Sequence, residues 1–346
     1  MIAFFWSSPL WAESYLRSTQ TYSDGNAISW NESLTRGAII GSSNTGTVGS
    51  HTVGVVNGTV QFASDGAGYP NTARLLLHSD LTLGSTATFS GPATIEGGGH
   101  TLRLTGSMVL RRSLAVVGKL IIDGQGNTLE LANTGQFRLA YDNARTSTLR
   151  LKNTRLLIGD GMTVTSSTSV LPSCYGTLEL ENVDIYLKGS TAYFGNTAFL
   201  SMYKTVKILG GGGTIYLAPL VRCMGVAALS TLYVGPNITL DYSVPNGPTF
   251  FGCGDRTATL YFDGCTLGVG SSTSDLLGWE LQKGRVIFDN HVVIDNYRTD
   301  GIDNFYNTDS SRGLVLGNNG SEELHVVLTP AAQIEVLGCL VHNPRV

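Results

Sequence analysis

Three stretches of this chain, GGGHTLRL (97–104), GQGNTLEL (124–131) and STLRLKN (147–153), carry nearly the same phrase. In each, two leucines flank a residue that changes, Arg103, Glu130 and Arg150 in turn. Alternation with a period of two is the pattern of a strand that buries one face. The phrase recurs as TVGV from Thr52, RLLL from Arg74, TLRL from Thr101, TLEL from Thr128, TLRL from Thr148 and TLEL from Thr177. It continues as TVKI from Thr205, TLYV from Thr231, TLYF from Thr259, RVIF from Arg285 and GLVL from Gly313. Most neighbouring starts lie 26 to 29 residues apart, with a shorter step of 20 between Thr128 and Thr148. Self-similarity at such a period marks a solenoid, one turn per repeat.

The alternation assigns sides. Leu102, Leu104, Leu129, Leu131, Leu149, Leu151, Leu178 and Leu180 are expected to face inward. Leu102, Leu129, Leu149 and Leu178 should then form one interior column. The outward series reads Arg103, Glu130, Arg150, Glu179, Lys207, Tyr233 and Tyr261. With turns stacked about 4.8 Å apart, each charge would meet an opposite one, and Tyr233 would lie along Tyr261. Opposite and aromatic neighbours stabilise a sheet, whereas like charges destabilise it.

A corner supplies a second signal. Two residues past successive phrases stand Gly106, Asn133, Asn153, Asn182, Gly210, Pro236, Gly264, Asn290 and Asn318, and Asn237 follows the proline. Glycine and asparagine tolerate the left-handed backbone that a bulky side chain resists. A chain bending alike on every turn would place them in register, forming a turn ladder of Gly106, Asn133, Asn153, Asn182, Gly210, Gly264, Asn290 and Asn318.

On coil length, inward aliphatic stacks and this corner, the chain resembles the right-handed parallel β-helix superfamily, the pectin lyase-like solenoids, over roughly residues 50 to 340. The expected architecture is all-β, a right-handed parallel β-helix of about 11 turns with a period of about 27 residues. An outer-membrane barrel and an antiparallel sandwich are the competing folds. A barrel wants aromatic girdles and strands of about ten residues, and neither stands out here.

The stretch IAFFWSSPLWA (2–12) has the apolar run and small terminal residue of an export signal, without its basic start. The expected organisation is therefore a signal remnant over 1–12, a cap or edge segment over 13–50, the β-helix over 51–340 and a tail over 341–346. No stretch reaches the ~18 apolar residues a transmembrane helix needs, so none is expected. Residues 37–64 contain no Asp, Glu, Lys or Arg, which leaves the first turn either capped or open to end-to-end assembly.

Charged residues are 14% of the chain, against about 25% in ordinary domains. The net charge of −4 and the lack of a basic stripe speak against a nucleic-acid partner. Five cysteines form no CxxC pair, so no zinc site is expected. They read best as small core residues, with a Cys253–Cys265 bridge as the alternative.

No cofactor motif is present, and six scattered histidines lack metal-ligand spacing. One patch carries carboxylates, with Asp289, Asp295, Asp300, Asp303 and Asp309 falling within 21 residues. Glycoside hydrolysis commonly uses two such groups, one as acid and one as base. Residues Arg298 to Asp303 (RTDGID) resemble the Asn-Thr-Asp-Gly-x-Asp motif of polygalacturonase-type glycosidases, which implies Asp300 as a catalytic carboxylate, with Asp303 and Asp309 as further candidates. Arg298 replaces the family's Asn, and its adjacent Asp-Asp pair, Gly-His-Gly and Arg-Ile-Lys motifs are absent.

These features rank three functions. First is an exported structural or adhesive solenoid on the cell surface or outside it, a rod or filament-forming subunit that self-assembles as a homo-oligomer without catalysis. Second is a carbohydrate-active enzyme using the 289–309 carboxylates. Third is a glycan-binding module that offers Tyr233 and Tyr261 to sugar rings.

Overall fold

In the computed structural model, side chains are described for most of 94–104, 121–130, 148–158, 177–191, 200–217, 225–241, 251–269, 279–295, 314–317 and 322–337, with Leu77 and 80–82. Elsewhere only strand spans are described. The chain is an all-β parallel solenoid with a period of about 27 residues. Taken as whole coils, the described residues complete about four turns rather than eleven, while single arms continue as strands on either side.

Each coil has three arms. The first and second share one sheet, and the strands Lys119–Leu131, Thr148–Ile158, Thr177–Leu187 and Phe199–Gly210 run through both. The third arm belongs to a seven-stranded sheet that includes Ser190–Tyr193, Gly213–Tyr216, Ile238–Asp241, Thr266–Gly268 and His291–Asp295.

Register divides the expected leucine column in two. Leu102 pairs with Leu129, but Leu129 pairs with Leu156 rather than Leu149. Leu149 instead lies between Leu120 and Leu178. The returning phrase thus occupies the second arm at Thr101 and Thr128, moves to the first at Thr148 and Thr177, and returns to the second from Thr205. This move accounts for the short step between Thr128 and Thr148. Both arms face one interior, so both demand the same alternation, and the pattern alone does not tell them apart.

In the first arm a buried column runs Ile95, Ile122, Leu151, Leu180, Met202, Val226, Cys253. In the second it runs Leu102, Leu129, Leu156, Ile185, Ile208, Val234, Phe262, Phe288. Burying one such side chain stabilises by about 1.5–3 kcal/mol, so these stacks are the main cohesive term. Toward the C-terminal coils the filling turns aromatic, with Phe251, Phe262, Phe288 and Trp279 all nearly inaccessible. The Trp279 indole N–H, which burial would otherwise leave unsatisfied, donates to the Phe251 carbonyl at 2.6 Å. Cys253 and Cys265 are both free and buried, so the alternative of a bridge between them is not realised. Cys174, Cys223 and Cys339 lie outside the described residues.

The expected single corner is also two. Asn153 (φ 47°) and Asn182 (φ 54°) separate the first arm from the second. Gly210 (φ 148°), Asn237 (φ 63°), Gly264 (φ 55°) and Asn290 (φ 52°) separate the second from the third. At Gly210 a Cβ would come within 2.0 Å of the Leu187 carbonyl oxygen, so that corner requires glycine. Gly106, Asn133 and Asn318 lie outside the described residues. Among the described residues, no helix is long and apolar enough to cross a membrane.

Candidate functional site

With leucine, valine and phenylalanine filling the interior, chemistry falls to the outward residues of the arms. On the first arm Asp123, Lys152, Glu181 and Tyr203 are register partners, and so are Arg150, Glu179 and Ser201 beside them. Glu181 is almost fully buried, its side chain 7% exposed. It is held by Arg150 Nη2 and by Lys204 Nζ, the latter at 2.8 Å. Arg150 Nη1 also reaches Glu179 at 3.5 Å, and its guanidinium lies 5.6 Å from the centre of the Tyr203 ring. Burial alone would raise the Glu181 pKa, but hydrogen bonds and charge from Lys204 and Arg150 outweigh it and hold the carboxyl below its ordinary value. Lys152 Nζ and Asn153 Nδ2 meet Asp123 at 3.3 and 3.1 Å.

The second arm carries the tyrosines. Lys207, Tyr233, Tyr261 and Ile287 are successive partners. The rings of Tyr233 and Tyr261 lie 5.4 Å apart with their planes tilted by 40°. At their outer rim Asp263 and Asp289 are direct register partners. Two carboxylates so placed repel, and each is stabilised by donors from neighbouring coils. Tyr233 O–H donates to Asp263, and Tyr261 O–H donates to Asp289 at 2.5 Å. Asn290 Nδ2 donates to Asp263 Oδ1 at 2.6 Å, while Thr329 O–H donates to the second Asp289 oxygen.

Titration follows from that wiring. Hydrogen bonds from Thr329 and Tyr261 hold Asp289 below the usual carboxylate range, as an anion. The bond to Asp289 pushes the Tyr261 phenol up to about 12, and burial with the Asp263 contact pushes Tyr233 higher still. A glycosidase general acid needs the opposite shift, a carboxyl raised toward neutrality. Asp289 thus accepts hydrogen bonds from Tyr261 and Thr329 in this rim.

Of the carboxylate patch, Asp289 joins this rim, Asp295 sits half-buried at the end of the third-arm strand His291–Asp295, and Asp300, Asp303 and Asp309 lie outside the described residues. Among the described residues no three His, Cys, Asp or Glu side chains gather as metal ligands. The expected outward series is partly regrouped. Arg103 pairs with Glu130 (Nη2 to Oε1, 3.1 Å) and Arg150 with Glu179, but Glu130 faces Leu157, not Arg150. Asp263 and Glu181, central to the two networks, were missed in the sequence. Their signal was the alternation itself: each stands two residues past a changing residue, Tyr261 or Glu179, on the same face.

No protein-family model, curated protein or solved structure matches this chain.

Proposed function

We infer that this chain is an exported structural β-solenoid, a rigid surface rod that continues the described coil toward about 11 right-handed turns and acts without catalysis. One observation carries the reading. Outward polar side chains bridge one coil to another in both networks, Arg150 and Lys204 with Glu181, Tyr233 with Asp263 and Tyr261 with Asp289, and in the separate pair Arg103 with Glu130. Side chains that bond to the neighbouring turn brace a rod against unwinding, although Arg103 Nε, Arg150 Nε and Glu179 Oε2 are left without a hydrogen-bond partner among the described residues. Electron microscopy of the purified chain tests it, with thin straight particles expected and rounded ones counting against. Reducing sugar released from acidic polysaccharides and lost in Asp300→Asn would replace this reading with a glycosidase.

A glycan contact is the second reading, favoured by the outward, half-buried rings of Tyr233 and Tyr261 with carboxylates at their rim. Glycan-array binding abolished by Tyr233→Ala would establish it, and an array without signal would remove it.

A further inference from the structure

The second corner carries an asparagine whose side chain the coil does not use. Asn153, Asn182 and Asn290 each donate their side-chain amide to a neighbouring coil. Asn237 has the same left-handed backbone (φ 63°) and is exposed, yet its side-chain amide has no hydrogen-bond partner among the described residues. Register explains the difference. Ile238 pairs with Gly213, and Thr239 with Thr266, so Asn237 stands between Gly212 and Gly264 of the adjoining coils. Neither neighbour has a side chain to offer. A Cβ placed on Gly212 would meet nothing nearer than the Asn237 carbonyl oxygen at 3.9 Å, so the space beside this asparagine is open.

The sequence at that corner is Asn237-Ile238-Thr239, an acceptor triplet for N-linked sugar, whose middle residue is not proline. The fold divides the triplet suitably. Ile238 points into the core at 0% exposure, which leaves Asn237 exposed and Thr239 half-buried on the outward side. The Thr239 hydroxyl also has no partner among the described residues. Asn31, Asn57 and Asn319 head further triplets of this kind but lie outside the described residues.

We propose that Asn237 is an attachment site for an N-linked oligosaccharide, carried outward from the glycine-flanked corner. This rests on the exported reading, because the transferase works in the lumen of a secretory pathway. The donor is an oligosaccharide on a lipid pyrophosphate. Asn237 Nδ2 attacks the anomeric carbon of its first sugar, and a C–N bond forms as the C–O bond to pyrophosphate breaks. The lipid pyrophosphate leaves as an anion, and Nδ2 gives up one proton to a base of the transferase. The reaction meets the chain as it enters the lumen, so the folded coil must afterwards accommodate a bulky, solvated group. An inward or laddered position would refuse it. Asn237, with glycine on both sides and no bond to break, accepts it.

The full chain, given a cleavable secretory leader and expressed in insect cells, tests this. Glycosidase release in heavy-oxygen water marks every asparagine that carried sugar, and peptide mass spectrometry reads the mark site by site. The Asn237 peptide is expected to be marked, and the modified chain to keep the circular dichroism of a β-coil. Thr239→Val keeps the branched shape of the strand residue and should abolish the mark. Asn237→Gly should also abolish it while sparing the left-handed corner. An unmarked Asn237 in chain whose leader has been removed overturns the proposal, whether that chain is released or held in the lumen. So does a mark that survives Thr239→Val, a result that stands even if the variant misfolds, since transfer precedes folding. Modified chain that aggregates where Asn237→Gly folds overturns it as well. The exported reading is tested separately by the chain without the added leader: retention in the cytosol counts against export by residues 1–12 and leaves the leader-borne result unchanged.

Discussion

Asn182 donates its side-chain amide to Asn153 Oδ1 at 3.1 Å, and both residues hold left-handed backbones. Asn153 in turn donates to Asp123, so one amide ladder ties three coils at the first corner. Asn182→Ala combines the ~1–2 kcal/mol cost of a left-handed alanine with a lost hydrogen bond worth about 0.5–1.5 kcal/mol. Asn182→Gly loses only the bond. Denaturant unfolding should therefore rank the wild type first, glycine second and alanine last. Equal loss in the two variants would mean that backbone conformation contributes nothing at this corner.

Glu181 gives an acid-side prediction. Its folded pKa is depressed below the ordinary 4.5 by Lys204 and Arg150 despite burial. The stability it adds is complete above the unfolded value and disappears as pH falls through the folded one. Glu181→Gln removes that component. Breaking its charged hydrogen bonds should cost about 1.5–3 kcal/mol near neutrality, and the gap from wild type should narrow in acid. Circular dichroism melts across the acid range check this, and a gap that widens with acidification contradicts it.

The two corners show where a linear reading succeeds and where it stops. Alternating leucines and left-handed asparagines were both visible, because every arm of a parallel coil imposes the same rules of facing and bending. Which arm a phrase occupied was not visible. Leu129 and Leu149 obey one pattern, and only register reveals that Leu156 is the true neighbour of Leu129. Lys204 (φ 57°) and Leu229 (φ 55°) also take left-handed corner positions, with Leu229 84% exposed, against the preference of their types. Each is anchored by a bond from its own backbone N–H, Lys204 to Ser230 Oγ at 2.8 Å and Leu229 to Thr257 Oγ1 at 2.9 Å, partners 26 and 28 residues away. Such support is tertiary and leaves no local trace.

The tyrosine rim gives an alkaline-side prediction. Tyr261 is pushed up to about 12 by its bond to Asp289, and Tyr233 is raised further by burial and Asp263. A phenol raised in the folded state contributes stability that is whole below its unfolded value of 10.0 and is lost as pH climbs toward 12. Tyrosinate absorbance should show the Tyr233 and Tyr261 phenols titrating above the ordinary 10.0. Tyr233→Phe and Tyr261→Phe should each remove one late phenol and flatten the alkaline loss of stability. Late titration unchanged in both variants would place those phenols elsewhere.

The split between arms makes its own prediction on the surface. Arg103 Nη2 touches Glu130 Oε1 at 3.1 Å across adjacent coils, whereas Arg150, next among the charged changing residues, lies opposite Ile121 and bridges Glu179 and Glu181. A single continuous charge ladder would couple Glu130 to both arginines. The two-arm register couples it to Arg103 alone. In double-mutant cycles with alanine, Arg103 and Glu130 should interact by about 0.2–1 kcal/mol, as partly exposed pairs do. Glu130 and Arg150 should be additive within error, which is the behaviour of sites that share no partner. Coupling of comparable size in the second cycle would restore one column and undo the register on which the coil is built.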